Sequence, residues 1–154
     1  MGREIERKFL VTDESWLPLA TRSNAFSQFY LFAEADRSCR VRIVDRQFAR
    51  LTLKTGDGID RGEFEYDIPL DDAKALRASA VGRLIEKTRH FVPNGPHTIE
   101  VDVFHGGLTG LIVAEIELSD EAEAFTRPRF LGKEVSGDPR YLNRSLSLHG
   151  LPSG

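Results

Sequence analysis

The chain has 154 residues, 40% of them hydrophobic and 29% charged, which excludes a disordered segment and suits one domain able to bury most of its unfolded surface. Its 21 basic and 24 acidic residues leave a formal net charge of −3, which excludes a general attraction to nucleic acid. A single cysteine, Cys39, excludes an internal disulfide, and no run of residues approaches the ~18 apolar positions of a membrane span.

The chain opens with charges and no apolar leader, so the expectation is a cytoplasmic protein with no membrane partner. Residues 4–11 alternate as a strand, with Ile5 opposite Glu4 and Glu6. The stretch 12–21, with Glu14, Trp16, Leu17 and Pro18, suggests a short helix or turn. Strands follow at 26–32, 40–44 and 48–54, the last two joined tightly as a hairpin. Gly56, Asp57 and Gly58 predict a turn before a strand over 61–68. Then the period changes. Ala73, Leu76, Ala80, Val81 and Leu84 share one face of an amphipathic helix predicted over 71–84, which Asp71 or Asp72 can cap. Alternation returns at 85–91, 98–104 and 111–118. Ser119 predicts a short capped helix through Phe125, and the tail from Pro128 reads as helical fragments broken by Gly137 and Pro139.

About eight strands in hairpin-like order, interrupted by one helix, point to a mainly β, antiparallel sheet closed into a barrel with a few flanking helices. No linker or repeat divides residues 1–154, so a single domain is expected.

The strands share one peculiarity: charged residues two apart. They are Glu4, Glu6 and Lys8; Arg40 and Arg42; Glu63 and Glu65; Lys87 and Arg89; Glu100 and Asp102; Glu115 and Glu117. Each set lies on one face of its strand. Two arrangements satisfy this. Either apolar residues fill the barrel and the charges are solvated outside, or the charges point inward and helices and loops cover the apolar faces. An inward mixture cannot stay unpartnered. Paired carboxylates suit hard cations such as Mg²⁺ or Mn²⁺. Clustered Arg and Lys, including Lys54 and Arg61, suit phosphate oxygens, and arginine grips them with two prongs. Acids and bases together describe a metal–polyphosphate site, whereas a ladder of strand ion pairs is the bland alternative. The four histidines, His90, His97, His105 and His149, lack metal-ligand spacing, and Gly106, Gly107 and Gly110 lack a phosphate-loop signature.

Glu4, Glu6 and Lys8 form an ExExK run. Arg40 and Arg42 sit in a VRxR-like strand, Lys54 ends an LTLK strand, and Arg61, Glu63 and Glu65 form RxExE. Lys87–Arg89, Glu100–Asp102, the AEIE strand and the tail residues Gly132–Val135, Asp138, Arg140, Tyr141 and Asn143 follow in order. From Glu4 to about Pro152, this resembles the CYTH domain, or triphosphate tunnel metalloenzyme, family. The resemblance implies an eight-stranded antiparallel tunnel with the charges inside and divalent-metal-dependent action on triphosphates. It implies a metal site of Glu4, Glu6, Glu115 and Glu117, and catalytic roles for Glu4, Glu6, Lys8, Lys87 and Asp102. Phosphate binding falls to Lys8, Arg40, Arg42, Lys54, Arg61, Lys87, Arg89 and Lys133, the last on a helix by the tunnel mouth. Tyr30 is expected to be structural. The compact chain resembles members that hydrolyse inorganic tripolyphosphate to pyrophosphate and phosphate, using Mg²⁺ or Mn²⁺. Class IV adenylate cyclase, thiamine triphosphatase (with Trp16 as a stacking ring) and a non-catalytic polyphosphate-binding module are the alternatives. No nucleic-acid partner is expected, and the apolar outer faces suggest a homodimer.

Overall fold

The computed structural model describes residues 2–56 and 59–152. Nine strands and two α-helices are present among them: β1 (Gly2–Val11), β2 (Arg22–Ala33), β3 (Arg37–Val44), β4 (Phe48–Thr55), β5 (Asp60–Ile68), α1 (Leu70–Leu76), β6 (Val81–Asn94), β7 (His97–Phe104), β8 (Ile112–Glu117), β9 (Leu131–Glu134) and α2 (Asn143–His149). The first eight strands close on themselves in the order β1-β5-β4-β3-β2-β6-β7-β8, and β8 returns to β1. Every pairing is antiparallel. Closure leaves no free edge around the ring.

β1 makes the closure by serving three partners. Its Glu6–Leu10 segment pairs with β8, its first residues pair with β5, and Phe9 and Val11 pair with β9. Between β5 and β9 the wall is sealed by single bonds: Glu6 N–H donates to Ile59 O, and Lys8 N–H donates to Ser136 Oγ.

The β3–β4 hairpin turns without glycine. Asp45 and Arg46 both adopt positive φ (51° and 59°), and Gln47 N–H donates to Val44 O at 2.9 Å. This geometry matches the twist of the flanking strands. The Asp45 carboxylate holds it by accepting from Ala25 N–H and Asn24 Nδ2, each at 2.7 Å.

Three expectations from the sequence change. The helix predicted over 71–84 ends at Leu76, followed by a 3₁₀ turn at Arg77–Ser79, and 81–84 belong to β6. Ala73, Leu76, Ala80 and Leu84 do share one apolar cluster, as the pattern expected, but Val81 is exposed. Pairing of Val81 with Tyr30 overrides helical continuation. The segment after Ser119 forms no helix. Asp120 accepts from Ala122 N–H, while Glu123 takes both the N–H and Oγ–H of Ser119. Such local bonds compete with a helical backbone. The tail contributes a strand, β9, before its helix. Of the predicted turn, Asp57 and Gly58 lie outside the described residues.

The charged stripes face inward, and the outer faces carry the core. Ile5, Phe9, Val101, Ala114 and Ile116 pack outside the ring under Trp16 and Phe130. Phe29, Val41 and Ala49 pack under Ala73 of α1. Each such fully buried large side chain contributes roughly 1.5–3 kcal/mol. The outer faces that suggested a homodimer are therefore largely covered by the chain's own segments. A third cluster is different. Ile85, Phe104 and Val113 stand in phase with the inward charges, and they meet Leu10 and Leu146 of α2. This apolar layer floors one end of the barrel.

Candidate active site

Above that floor lies a cavity of about 400 Å³. Glu4, Glu6 and Lys8 of β1, Arg40 and Arg42 of β3, Lys54 of β4, and Arg61, Glu63 and Glu65 of β5 line it. Arg89, Glu100, Glu115 and Glu117 complete the ring from β6 to β8. They converge because alternation puts each stripe on one face and antiparallel registry puts the stripes at matching levels. Arg61 stands opposite Glu4, Lys54 opposite Glu63, Lys8 opposite Glu115, and Arg89 opposite Asp102.

Two ion-pair networks result. Lys54 Nζ lies 2.9 Å from Glu4 and 3.8 Å from Glu63, and Arg61 reaches Glu6 at 3.5 Å. On the other side, Arg89 grips Asp102 with two nitrogens at 2.8 and 2.9 Å and donates to Glu115 at 2.9 Å. Lys87 Nζ contacts the same Asp102 at 2.6 Å, deep in the wall next to the floor. Lys8 Nζ bridges Glu115 at 3.3 Å and the Tyr141 carbonyl at 3.0 Å. The ion-pair ladder expected as the bland alternative is thus present in part.

It does not use every charge. Among the described residues, neither Arg40 nor Arg42 has a carboxylate partner. Arg40 Nη2 donates to Thr52 Oγ1 at 3.3 Å, and its buried Nε finds no acceptor. Arg42 donates to the amide of Gln28 at 2.8 Å and stacks over Phe26. Burial, then the Arg40 and Arg89 charges, push the pKa of Arg42 well below the usual guanidinium range. A guanidinium keeps its proton even so, and such a site favours an anion.

The acids are unevenly satisfied too. Burial alone would raise Glu115, yet Lys8, Arg89 and Lys87 outweigh it and hold its pKa well below the usual range. Glu4 is likewise lowered, by Lys54 against burial. Glu6 goes the other way: burial, with the Glu115 charge next, pushes it up to about 7. Burial and then Glu4 push Glu63 up to about 7, and burial with Glu4 and Glu65 raises Glu117. Burial brings Lys87 down to about 7 against the pull of Asp102.

This donor set fits a hard divalent cation. All of its members are carboxylate oxygens, and at the β1–β8 seam Glu117 has no ion-pair partner among the described residues while Glu6 has only Arg61, at 3.5 Å. No three carboxylates among the described residues converge closely enough to hold an ion alone. Mg²⁺ commonly takes one or two carboxylates and completes its shell with water and substrate phosphates.

Of the residues the sequence singled out, Lys133 stands apart: it is exposed on β9, where the resemblance implied a helix, and does not line the cavity. Lys87 and Asp102 lie behind the cavity surface and act on it through Arg89 and Glu115. Trp16 is buried in the outer cluster against the His90 ring, so it offers no stacking face in the tunnel. Tyr30 does line the cavity, and Arg50 reaches its rim. Phe26 and Asn143 also line the cavity and Gln28 lies buried behind it, three residues whose part the charge pattern does not announce. Gln28 had a signal, since it is a polar residue centred in an aromatic strand. Asn143 stood in the tail pattern that carries the family resemblance, which assigned it no role.

Comparison with known proteins agrees with this geometry. The CYTH domain model matches residues 2–145. An inorganic triphosphatase of Acetivibrio thermocellus is 43% identical over 148 residues, covering 95% of this chain and 94% of that one. An inorganic triphosphatase of Nitrosomonas europaea is 36% identical over 150 residues, covering 94% and 97%. The solved structure of the inorganic triphosphatase NE1496 superposes with a TM-score of 0.66 at 32% identity and covers 99% of both chains.

Proposed function

The chain belongs to the CYTH domain family, and from that premise we propose that it hydrolyses inorganic triphosphate to pyrophosphate and phosphate with a divalent cation, Mg²⁺ or Mn²⁺. One observation carries the reading. Arg40 and Arg42 on β3, without carboxylate partners, stand four strands round the ring from β8, whose Glu117 adjoins Glu6 of β1. A polyphosphate supplies the negative charge that Arg40 and Arg42 lack, and a cation supplies the positive charge that Glu117, beside Glu6, lacks.

Glu6 and Glu117 would hold the cation, with Glu4 and Glu115 adjoining. When bound, the ion supplies Lewis acidity and activates water. The protein's own part is positioning and charge stabilisation. Arg40, Arg42, Lys8 and Arg89 bind non-bridging oxygens as the water oxygen bonds to the terminal phosphorus. The bridging P–O bond breaks, its electron pair leaves with pyrophosphate, and the proton the water gives up passes to a phosphate oxygen or to solvent. Lys87 Nζ, fully buried behind the cavity wall, acts on the site through Asp102 and Arg89 rather than on the substrate directly. Asp102 keeps that nitrogen oriented.

Purified protein supplied with tripolyphosphate, ATP or thiamine triphosphate, with Mg²⁺ or Mn²⁺, tests this directly. Tripolyphosphate is expected to be turned over fastest, yielding phosphate and pyrophosphate. No turnover of any of the three overturns the enzyme. Cyclic AMP as the main product from ATP would make it a cyclase.

A further inference from the structure

β2 lies between β3 and β6, the strands carrying Arg40, Arg42, Lys87 and Arg89. Its inward residues at that level are uncharged, yet they touch the cations on both sides. The Phe26 ring lies 4.1 Å from the Arg42 guanidinium and 5.1 Å from that of Arg89. Gln28, fully buried, accepts from Arg42 Nε at 2.8 Å through Oε1 and donates from Nε2 to Asn143 Oδ1 at 3.2 Å. Lys87 Nζ donates to that same Oδ1 at 3.1 Å.

The amide orientations follow from the cations. Arginine and lysine can only donate. Arg42 therefore requires the oxygen of Gln28, and Lys87 requires the oxygen of Asn143. These two independent assignments leave the Gln28 nitrogen facing the Asn143 oxygen, which is the one arrangement that joins them. Lys87 already has a carboxylate in Asp102, but a carboxylate in place of Gln28 would cancel the Arg42 charge that phosphate needs. Apolar side chains would preserve charge and lose the anchor.

We propose that Gln28 and Asn143 are positioning residues, a neutral amide relay that ties Arg42 to the buried Lys87–Asp102 pair at a fixed spacing while leaving the Arg42 charge available to the substrate. What the cations hold rests on the triphosphate reading above; that the amides hold the cations does not.

The side-chain Nε–H resonance of Arg42 gives a readout independent of turnover. It should exchange slowly with solvent in the wild type and rapidly in Gln28→Met, which keeps length and removes the acceptor. With tripolyphosphate, Gln28→Met should raise KM about tenfold with little change in kcat, the loss of one charged hydrogen bond. Gln28→Glu separates anchoring from charge: Arg42 Nε–H should stay protected while KM still rises. A folded Gln28→Met with protected Nε–H and wild-type KM overturns the relay. Should that variant not fold, an unchanged KM in Gln28→Glu overturns it instead. A wild type inactive on every triphosphate would refute the function, and the exchange measurement would still decide the relay.

Discussion

Glu6 and Glu117 stand directly opposite one another on β1 and β8, both turned into the barrel, and among the described residues Glu117 has no ion-pair partner. Like charges placed so are destabilising by up to ~1 kcal/mol, less where solvent screens them. The pair is thus a built-in demand for a cation. Glu6→Gln should reduce turnover at least ~100-fold and raise the metal-free melting temperature by about 3 °C. Mg²⁺ at ~100 times its dissociation constant should stabilise the wild type by about 2.7 kcal/mol and the variant by clearly less. Calorimetric melting with and without Mg²⁺ checks this; unchanged turnover in Glu6→Gln would refute the metal assignment.

The same carboxylates set a pH dependence. Glu6 and Glu63 rise from an ordinary 4.5 to about 7 in the fold. Between those values the folded protein binds more protons than the unfolded chain, so stability falls as pH rises through that window. The metal-free protein should melt at a higher temperature at pH 5 than at pH 8. Mg²⁺ should flatten the slope, because it takes over the role of the protons. A melting temperature that rises from pH 5 to pH 8 without metal would contradict the arrangement.

Arg40 is anchored by Thr52 and otherwise awaits an anion. Arg40→Ala should raise KM for tripolyphosphate roughly 10–100-fold, with kcat less affected, as expected for one or two charge-assisted hydrogen bonds. Steady-state kinetics distinguish this from a dominant loss of kcat, which would place Arg40 at the transition state instead.

The floor under the site is a packing feature with a functional reach. Leu146 is 1% exposed and meets Ile85, Phe104 and Val113 inside the barrel. Leu146→Ala should cost about 2–5 kcal/mol by leaving a cavity, measurable in urea denaturation. Because α2 also delivers Asn143 to Lys87, kcat should fall before global unfolding. A destabilised variant with wild-type kcat would separate the floor from the site.

β9 is tied to β1 by Arg7, whose two nitrogens reach Glu134 at 2.6 and 2.8 Å. Arg7, against burial, and then Ser136 lower the Glu134 pKa to about 2. That contribution is present above about 4.5 and is lost as pH falls toward 2. Glu134→Gln should therefore lower stability at pH 7 and leave it nearly unchanged at pH 2, in parallel denaturant titrations.

Much of the fold was legible because strand periodicity is local. Each of Glu4–Lys8, Arg40–Arg42 and Lys87–Arg89 declares its own strand and its own shared face. The helix predicted over 71–84 shows the limit of such reading. Ala73 is buried and Leu76, Ala80 and Leu84 pack half-buried beside it, but Leu84 does so from β6, where pairing with β2 supplies the backbone bonds, and Val81 is left exposed. Spacing alone does not separate those outcomes when partners are distant in the chain. The tail behaved alike: Leu131–Glu134 became a strand because β1 had an open edge beyond β5.

The site divides along the same line. Residue types and their two-residue spacing determine that acids and bases occupy common faces, and their chemistry determines that a metal and a polyphosphate suit them. Which acid neutralises which base is a matter of ring order and registry. These leave Arg40 and Arg42 without carboxylates, saturate Glu115, and set Glu6 beside Glu117. Gln28 and Asn143, 115 positions apart, meet only after the barrel has closed and α2 has floored it. Local sequence specifies a face; charge balance is a sum over everything that folding brings within a few ångströms, so only the tertiary structure decides it.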